Sequence, residues 1–325
     1  MNHESIFSIS SSAQFESVAL EIFNFQFQNI PVYRNFCGHL GIAPQDIKTL
    51  KDIPFLPIEF FKTHKVLANA IEPQAVFTSS GTTGMITSKH MVGDLSVYEK
   101  SFQKAFNLFY GDPQEWVILA LLPSYLEREG SSLIFMVQNL IESSAHSSSG
   151  FYLNNYEALK NAILNCEHSN QKVLLIGVSF ALLDLVEKYN FDLKNTVVME
   201  TGGMKGKRRE MIREELHSLL KQGFGIHHIH SEYGMTELLS QAYSKGDGIF
   251  ECPPWMRMLI RDPEDPFTLL PPGKTGGINV IDLANINSCS FIATQDLGKD
   301  LGDGQTEILG RFDHSDIRGC NLLVI

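Results

Sequence analysis

The chain has 325 residues, of which 43% are hydrophobic and 19% charged. This composition is typical of a globular protein and excludes a fibrous or disordered one. At the usual ~150 residues per domain, the length indicates about two structural units. The formal net charge of −11 excludes nucleic acid and anionic lipid as expected partners, because an acidic surface repels polyanions.

No segment predicts export or a membrane span. Residues 1–5 (MNHES) lack the basic, apolar character of a leader, and the longest apolar run, residues 173–183, is too short to cross a bilayer. The five cysteines are widely spaced and form no CxxC pair, which favours free thiols over disulfides or a zinc site. We therefore expect a cytoplasmic protein.

Helical and extended patterns alternate along the first two thirds of the chain. From Leu95 to Phe109, apolar residues recur every three or four positions between the N-cap candidate Asp94 and the stop signal Gly111, which predicts an amphipathic helix. Apolar runs predict strands at residues 116–122, 173–177, 196–200 and 226–230. Periodic segments predict helices at residues 131–141, after residue 177 to about 189, and at 207–222. This alternation predicts an α/β fold with a parallel sheet.

The pattern changes after about Tyr243. Prolines and glycines recur there and separate short β-rich pieces that have no helical periodicity. We expect an α/β domain at residues 1–243, a small β-rich subdomain at residues 244–310 and a hinge-like tail at residues 311–325.

A loop rich in glycine and hydroxyl side chains follows the apolar residues 75–77. Its sequence is TSSGTTG, residues 78–84. Glycines let backbone amides turn toward one point and hydroxyls add donors, so such a loop can enclose phosphate oxygens. It is not a Walker A loop, because no Gly-Lys-Ser/Thr follows, and a Ser/Thr/Gly string alone is more often an ordinary polar turn than a nucleotide site. The candidate phosphate-binding residues are Ser79, Ser80, Gly81, Thr82, Thr83 and Gly84.

Three further strings contain groups suited to a nucleotide. EYGMTE, residues 232–237, offers an aromatic ring for a base, a hydroxyl for a phosphate and a carboxylate for Mg²⁺ after a predicted strand. The alternative for this string is a strand-to-helix turn in which Glu237 favours the helix start. Asp296 in TQD is suited to a ribose, and Arg311 in GRFD offers a guanidinium to phosphate or ribose.

In chain order, these strings resemble the motifs of the adenylate-forming superfamily of acyl and aryl acid ligases. TSSGTTG is similar to its phosphate loop, EYGMTE to its adenine and magnesium motif, PPGKTGGINVI to its β-domain turn, TQD to its ribose aspartate and GRFD to its hinge. The resemblance covers roughly residues 77–325. It is strongest to the acyl-protein synthetase branch, the LuxE type, at residues 122–136, 200–206, 231–243 and 308–322.

The resemblance implies the N-terminal part of an adenylate-forming ligase, with parallel-sheet layers and a small β-rich subdomain. It implies ATP and Mg²⁺, activation of a fatty or other carboxylic acid as acyl-AMP, and an acyl-accepting protein partner such as a fatty acid reductase. The implied contacts are phosphates at Ser79 to Gly84 and Thr236, adenine at Tyr233, Mg²⁺ at Glu237, ribose at Asp296, close backbone approach at Gly202 and Gly203, and nucleotide contact at Arg311.

Two departures from the family pattern bear on the chemistry. MITS (residues 85–88) stands where a Pro-Lys-Gly is usual, and about a dozen residues follow the hinge, so the mobile C-terminal lid and its lysine are expected to be absent. Synthetases of the LuxE type are acylated on a cysteine near the C-terminus, and Cys320 is the matching position. Arg318 would stabilise its thiolate and His314 would accept the thiol proton.

Two other functions fit the same residues. One is a ligase that makes acyl-CoA or loads a carrier protein directly. The other is a subunit that binds a nucleotide or acyl-adenylate without catalysis, which the missing lysine and lid favour. The acyl chain, the final acceptor and the oligomeric state stay open.

Three remaining patterns have ordinary explanations beside functional ones. His227, His228 and His230 are expected on a strand or lining a pocket, because only two of them share a strand face and no third zinc ligand is evident. The basic residues within 205–209 predict a solvated face or a landing site for phosphate or an acidic partner. The Phe-rich helix is expected in the core, with one side available to an acyl tunnel together with residues 122–136.

Overall fold

The computed structural model describes residues 3–79, 86–123, 130–202, 208–209 and 211–312. The helices are α1 (Ser12–Asn29), α2 (Pro31–His39), α3 (Phe60–Thr63), α4 (Leu95–Tyr110), α5 (Ser132–Ser144), α6 (Tyr156–His168), α7 (Ser179–Lys188) and α8 (Arg213–Phe224). The strands are β1 (Leu56–Pro57), β2 (Ala75–Thr78), β3 (Lys89–Val92), β4 (Trp116–Leu121), β5 (Gly150–Phe151), β6 (Lys172–Val178), β7 (Thr196–Thr201), β8 (His230–Tyr233), β9 (Ala242–Ser244), β10 (Ile249–Glu251), β11 (Met256–Arg261), β12 (Thr275–Asp282), β13 (Phe291–Gly302) and β14 (Gln305–Arg311).

Within the described ranges, twelve strands form one sheet, and β2 and β3 form a separate hairpin. The order across the large sheet is β11-β12-β13-β14-β10-β9-β8-β7-β6-β4-β5, and β1 pairs with β13. From β5 to β8 the neighbours are parallel, and from β8 to β11 they are antiparallel. Strand β8 therefore joins the two halves of the sheet.

Burial along the strands follows from this arrangement. All six residues of β4 and all but the first residue of β6 are buried, because helices cover both faces of a parallel sheet. In the antiparallel half, β11 alternates buried and partly exposed residues, as expected where one face packs on the core. The predicted α/β parallel sheet is confirmed.

The Phe-rich helix is part of the core, as predicted. Helix α4 begins after Asp94, whose side chain accepts the Ser96 N–H, and ends at Gly111 with φ 86°. Phe102 and Phe106 are fully buried. The amphipathic period therefore identifies both the helix and its buried face. No described helix is both long enough and apolar enough to span a bilayer, and the four cysteines in the described ranges are free thiols, as predicted.

The helix and strand predicted at residues 207–222 and 226–230 have the wrong bounds. Helix α8 begins at Arg213 rather than at residue 207; the acidic residues Glu214 and Glu215 of its first turn favour a start there, whereas the preceding basic residues oppose the helix dipole. The strand predicted at residues 226–230 begins only at His230. Residues 226–229 instead follow the C-cap of α8, where Gly225 adopts a left-handed conformation.

Strands β9 to β14, predicted as a separate β-rich subdomain, continue the same hydrogen-bonded sheet through β8 and β9. The predicted domain boundaries stay a prediction.

The C-cap of α8 provides a stability test. A Cβ on Gly225, which has φ 68°, would lie 2.7 Å from the Phe191 carbonyl oxygen. We expect Gly225→Ala to lower the free energy of unfolding by ~2–4 kcal/mol, because the left-handed conformation and the displaced main chain both oppose a side chain. Urea denaturation measures this loss.

Gly41→Ala is the matched control. Gly41 has a similar φ of 69°, but no atom lies within 4 Å of the added Cβ, so only the conformational strain of ~1 kcal/mol remains. Equal losses in the two variants would contradict the steric explanation.

Candidate functional site

The candidate site lies where the parallel strands β7 and β8 end. Thr201 at the end of β7 is the register partner of Glu232 in β8. The loop that follows each strand therefore starts at the same edge of the sheet, which is where open α/β sheets bind ligands. Gly202 and the string EYGMTE, both predicted from the sequence, lie at this edge. Because β8 begins later than predicted, Glu232 and Tyr233 lie inside the strand rather than after it.

The backbone after β8 is held by side chains from distant segments. His90 in β3 lies 2.8 Å from the Thr236 carbonyl oxygen through Nδ1 and 2.9 Å from the Ser288 hydroxyl through Nε2. A carbonyl only accepts, so Nδ1 is the protonated nitrogen and Nε2 accepts the Ser288 proton. Burial lowers the pKa of His90 to about 4, so this neutral tautomer persists at physiological pH. Asn285 donates to the Glu237 carbonyl oxygen at 2.7 Å.

A fully buried carboxylate, Asp282, holds the next two residues of the same segment. It accepts the N–H groups of Leu239 and Ser240 at 2.8 and 2.9 Å and the Ser240 hydroxyl at 2.6 Å. The Ser240 oxygen lies 3.0 Å from Ser101, which accepts the Trp255 indole N–H at 3.0 Å. Burial raises the pKa of Asp282 to about 6 although these donors lower it.

Glu237 meets the base of the candidate phosphate loop. Its side chain is 5% exposed and hydrogen-bonds to Ser88, and burial raises its pKa. Ser88 donates its N–H to the Ser79 hydroxyl at 2.9 Å, and Ser79 donates its N–H to the Ser88 carbonyl at 3.1 Å. The loop therefore leaves and returns at a point next to Glu237. The predicted residues 80–84 lie outside the described residues.

Tyr233, Asp296 and Arg311 form a second group. The Tyr233 hydroxyl donates to Asp296 Oδ2 at 2.7 Å, and Arg311 Nε lies 3.4 Å from Oδ1. Asp296 and Arg311 are register partners in β13 and β14, so the sheet itself sets their distance. Asp296 is 8% exposed and keeps acceptor capacity, because a carboxylate has about four lone-pair positions. Burial, and next the Asp296 charge, raise the pKa of Tyr233.

Arg261 in β11 binds the backbone next to Tyr233, Asp296 and Arg311. Its guanidinium donates to the carbonyls of Ile278 at 2.7 Å and Thr294 at 2.6 Å, and to Asn279 Oδ1 at 2.9 Å. It also lies 5.7 Å from the ring centre of Phe312, the residue after Arg311. Arg261 thereby fixes the strand that leads to Asp296.

The loop after β7 is fixed by contacts from α7 and α8. The Ser179 hydroxyl lies 3.0 Å from Glu200 Oε2 and 2.9 Å from the Gly202 carbonyl oxygen. His217 Nε2 is 3.7 Å from Glu200 Oε1. Gly202 thus starts its loop from a defined position, while Gly203 lies outside the described residues.

Glu232 has an environment that the sequence did not predict. The Thr201 hydroxyl donates to its Oε2 at 2.6 Å. Burial raises the pKa of Glu232 to about 7; the Thr201 hydrogen bond lowers it and the Glu200 charge raises it further. A Cβ on Gly234 would collide with Oε1, so a side chain there would require the Glu232 carboxyl to move.

The histidines and basic residues singled out in the sequence lie apart from these groups. His227 and His228 precede β8, and His230 Nδ1 lies 3.1 Å from the Tyr110 hydroxyl. The described ranges contain no group of three or more side chains placed to hold a metal ion. Arg208 is paired with Asp184 and Glu187 on α7, so it is not a free phosphate ligand.

His314, Arg318 and Cys320 lie outside the described residues, and their predicted roles stay predictions. Sequence reasoning missed His90, Asp282, Asn285 and Arg261. None of them belongs to a motif, and the available signal is a polar residue in an otherwise apolar segment, as with His90 before Met91 and Val92.

The donor set at Glu237 fits Mg²⁺. Magnesium in nucleotide sites usually takes one or two carboxylates and completes its shell with phosphates and water. Glu237 is a single buried carboxylate, forms no ion pair with any residue in the described ranges, and adjoins the base of the candidate phosphate loop. A cation there would offset the cost of its burial.

Comparison with solved structures identifies the fold of the chain. The chain matches 2-hydroxyisobutyryl-CoA ligase in an open conformation with 2-HIB-AMP and CoA, at 14% identity and a TM-score of 0.69, over 93% of this chain and 70% of that one. It also matches ATP-bound MatB from Rhodopseudomonas palustris at 19% identity and a TM-score of 0.55, over 73% of this chain. The match spans 48% of MatB, less than half of its length.

No protein-family model matches the sequence, and no curated protein does. The chain has the mixed α/β fold of these two solved structures, which confirms the predicted fold class.

The raised pKa of Glu232 predicts a pH-dependent stability. Because its folded-state pKa of about 7 exceeds its ordinary value in the unfolded chain, its contribution is fully present below pH ~4.5 and is lost as the pH rises through ~7. Glu232→Gln has no such titration. We expect the variant to gain ~1–3 kcal/mol of unfolding free energy relative to wild type between pH 5 and pH 8, measured by urea denaturation at each pH.

Glu72→Gln, at an exposed position, is the control. It should follow the wild-type pH dependence, and an identical pH dependence in Glu232→Gln would show that burial of this carboxyl has no energetic effect.

Proposed function

We propose that the chain is an ATP-dependent ligase that activates a carboxylic acid as acyl-AMP and passes the acyl group to a cysteine thiol, as an acyl-protein synthetase of the LuxE type does. One observation supports this most: EYGMTE contacts both other groups. Its Glu237 meets Ser88 at the base of the glycine-rich loop, and its Tyr233 meets Asp296 beside Arg311. A single nucleotide spanning the string would reach all of them.

The nucleotide contacts follow from this arrangement. Amides and hydroxyls from Ser79 to Gly84 would hold the phosphates, and Thr236 would add a hydroxyl. Tyr233 would stack on adenine, since its hydroxyl is already held by Asp296, and the free lone pairs of Asp296 would accept the ribose hydroxyls. Glu237 would hold Mg²⁺, whose positive charge would offset the charge of the phosphates.

The reaction has two steps. A carboxylate oxygen of the acid forms a bond to the α-phosphorus of ATP, and the bond to pyrophosphate breaks, giving acyl-AMP. The thiolate of Cys320 then attacks the acyl carbonyl, and AMP leaves with the electron pair of the broken C–O bond, giving a thioester. His314 would take the thiol proton and Arg318 would stabilise the thiolate. A fatty acid as substrate, and a protein as final acyl acceptor, rest on the motif resemblance.

A second candidate is a ligase that transfers the acyl group to coenzyme A. The observation that favours it is the fold match to a ligase solved with CoA. The two candidates share the adenylation step and differ in whether this chain itself becomes acylated. We also propose that residues 1–243, 244–310 and 311–325 act as adenylate-forming domain, β-rich subdomain and tail.

The adenylation step is tested at Glu237. Glu237→Gln keeps the shape and the hydrogen bond to Ser88 but removes the charge that would hold Mg²⁺. We expect acid-dependent pyrophosphate release to fall at least ~100-fold, with an unchanged circular dichroism spectrum. Glu251→Gln, at an exposed glutamate of β10, is the control and should retain full release. Unchanged release in Glu237→Gln would remove Glu237 from the mechanism.

The transfer step is tested at Cys320. Cys320→Ser should release pyrophosphate at the wild-type rate but lose hydroxylamine-sensitive labelling by radiolabelled acid, because an alcohol is a far weaker nucleophile than a thiolate. Cys252→Ser should keep the label. A label that persists in Cys320→Ser, or an acyl-CoA product without any labelled protein, would refute the assignment and leave the adenylation step standing.

A further inference from the structure

We propose that Glu232 binds a hydroxyl group on the acid substrate, so that the enzyme activates a hydroxy acid in preference to the unsubstituted acid of the same length. This inference rests on the proposed function and specifies its substrate class.

Glu232 lies on the face of β8 that is opposite to the nucleotide group. Side chains alternate along a strand, so Glu232 and His230 share one face while Tyr233 faces the other way, toward Asp296. The shared face packs under α4, because His230 contacts the Tyr110 hydroxyl at 3.1 Å. An acid joined to a nucleotide on Tyr233 would pass the end of β8 and reach Glu232.

The surroundings of Glu232 are mainly aromatic. Tyr243, its register partner in β9, has its ring centre 5.4 Å from that of Tyr110. Burial, and next the charge of Glu232, raise the pKa of Tyr98 and of Tyr110. Tyr98 in turn stacks on Phe135 of α5 with ring centres 5.7 Å apart. Helix α4 and residues 122–136, which contain Tyr98 and Phe135, are the two segments predicted to surround an acyl chain. The Glu232 carboxyl lies close to these aromatic side chains.

One oxygen of this carboxyl is available. Thr201 occupies Oε2, whereas Oε1 forms no hydrogen bond to any residue in the described ranges. The side chain is partly exposed, and Gly234 and Gly202 next to it present no side chain. An acceptor in partly apolar surroundings is costly unless a partner donates to it, and a substrate hydroxyl is such a donor.

The titration behaviour favours a hydroxyl over an amine. With a pKa near 7, the carboxyl is present in both protonation states around neutral pH. A hydroxyl both donates and accepts, so it pairs with either state, whereas an ammonium group pairs only with the ionised one.

The test compares pyrophosphate release from acids matched in length. Octanoate, 2-hydroxyoctanoate, 3-hydroxyoctanoate and 2-aminooctanoate are offered to the wild type, Glu232→Leu and Glu232→Gln, and kcat/KM is determined for each. We expect the wild type to prefer one hydroxy acid over octanoate by at least ~10-fold, because a buried acceptor left unpaired penalises the analogue that lacks the hydroxyl. Glu232→Leu should lower the ratio of hydroxy acid to octanoate kcat/KM to about 1, and Glu232→Gln should retain part of the preference.

Ser231→Ala is the matched control, since Ser231 is the preceding residue, faces the opposite side of β8 and has no hydrogen-bond partner for its hydroxyl among the described residues. It should keep the wild-type preference. A wild-type preference for octanoate or for the amino acid, or an unchanged ratio in Glu232→Leu and Glu232→Gln, would overturn this inference alone. No release with any of the acids would overturn the proposed function together with it.

Discussion

The loop between β8 and β9 depends on one buried carboxylate. Residues 234–241 have no regular secondary structure, so their own backbone does not fix their shape. Asp282 accepts three donors from Leu239 and Ser240, yet its pKa is still raised to about 6 because burial outweighs those bonds. The hydrogen bonds therefore offset only part of the cost of burying the charge, and they define one backbone path for Leu239 and Ser240.

The short strand β8, which leads into this loop, contributes side chains to two different groups of the proposed site. Because neighbouring residues of a strand face opposite sides, Tyr233 reaches Asp296 in the antiparallel half of the sheet while Glu232 reaches Thr201 in the parallel half. The junction of the two halves is thus the place where a nucleotide and an acid can lie on either side of the same backbone. Moving β8 by one residue would exchange the two faces and destroy both contacts.

The spacing of apolar residues and the capping residues at helix ends were sufficient to predict much of the fold. Asp94 and Gly111 bound α4 as predicted, because capping is a local interaction. The predicted start of β8 was wrong because the apolar Ile226 after Gly225 resembles the start of a strand. In the structure Gly225 is the left-handed C-cap of α8, and Ile226 donates its N–H back to the Lys221 carbonyl of that helix. Local pattern does not distinguish the two.

The site was predictable as a set of motifs but not as a set of contacts. Tyr233 and Asp296 are 63 positions apart, and His90 and Thr236 are 146 apart, so no local pattern relates them. The supporting residues Asp282 and Arg261 belong to no motif, because any polar residue of suitable length can satisfy a backbone group. Their positions follow only from the tertiary structure.

Charge imposes a further condition on the proposed chemistry. Glu232, Glu237 and Asp296 bring three carboxyls to one edge of the sheet. In the described ranges, Asp296 forms an ion pair with Arg311, whose side chain is 81% exposed, and neither Glu232 nor Glu237 forms one. A triphosphate adds negative charge to this edge. Under the proposed function, the attraction for ATP would therefore come from the fixed dipoles of loop amides and from Mg²⁺ at Glu237, both of which act at the phosphates rather than at the base or the acid. Beside the phosphates, the same dipoles and Mg²⁺ would offset the repulsion that the acid carboxylate meets from the three carboxyls and from the phosphates themselves, and this would favour its approach to the α-phosphorus.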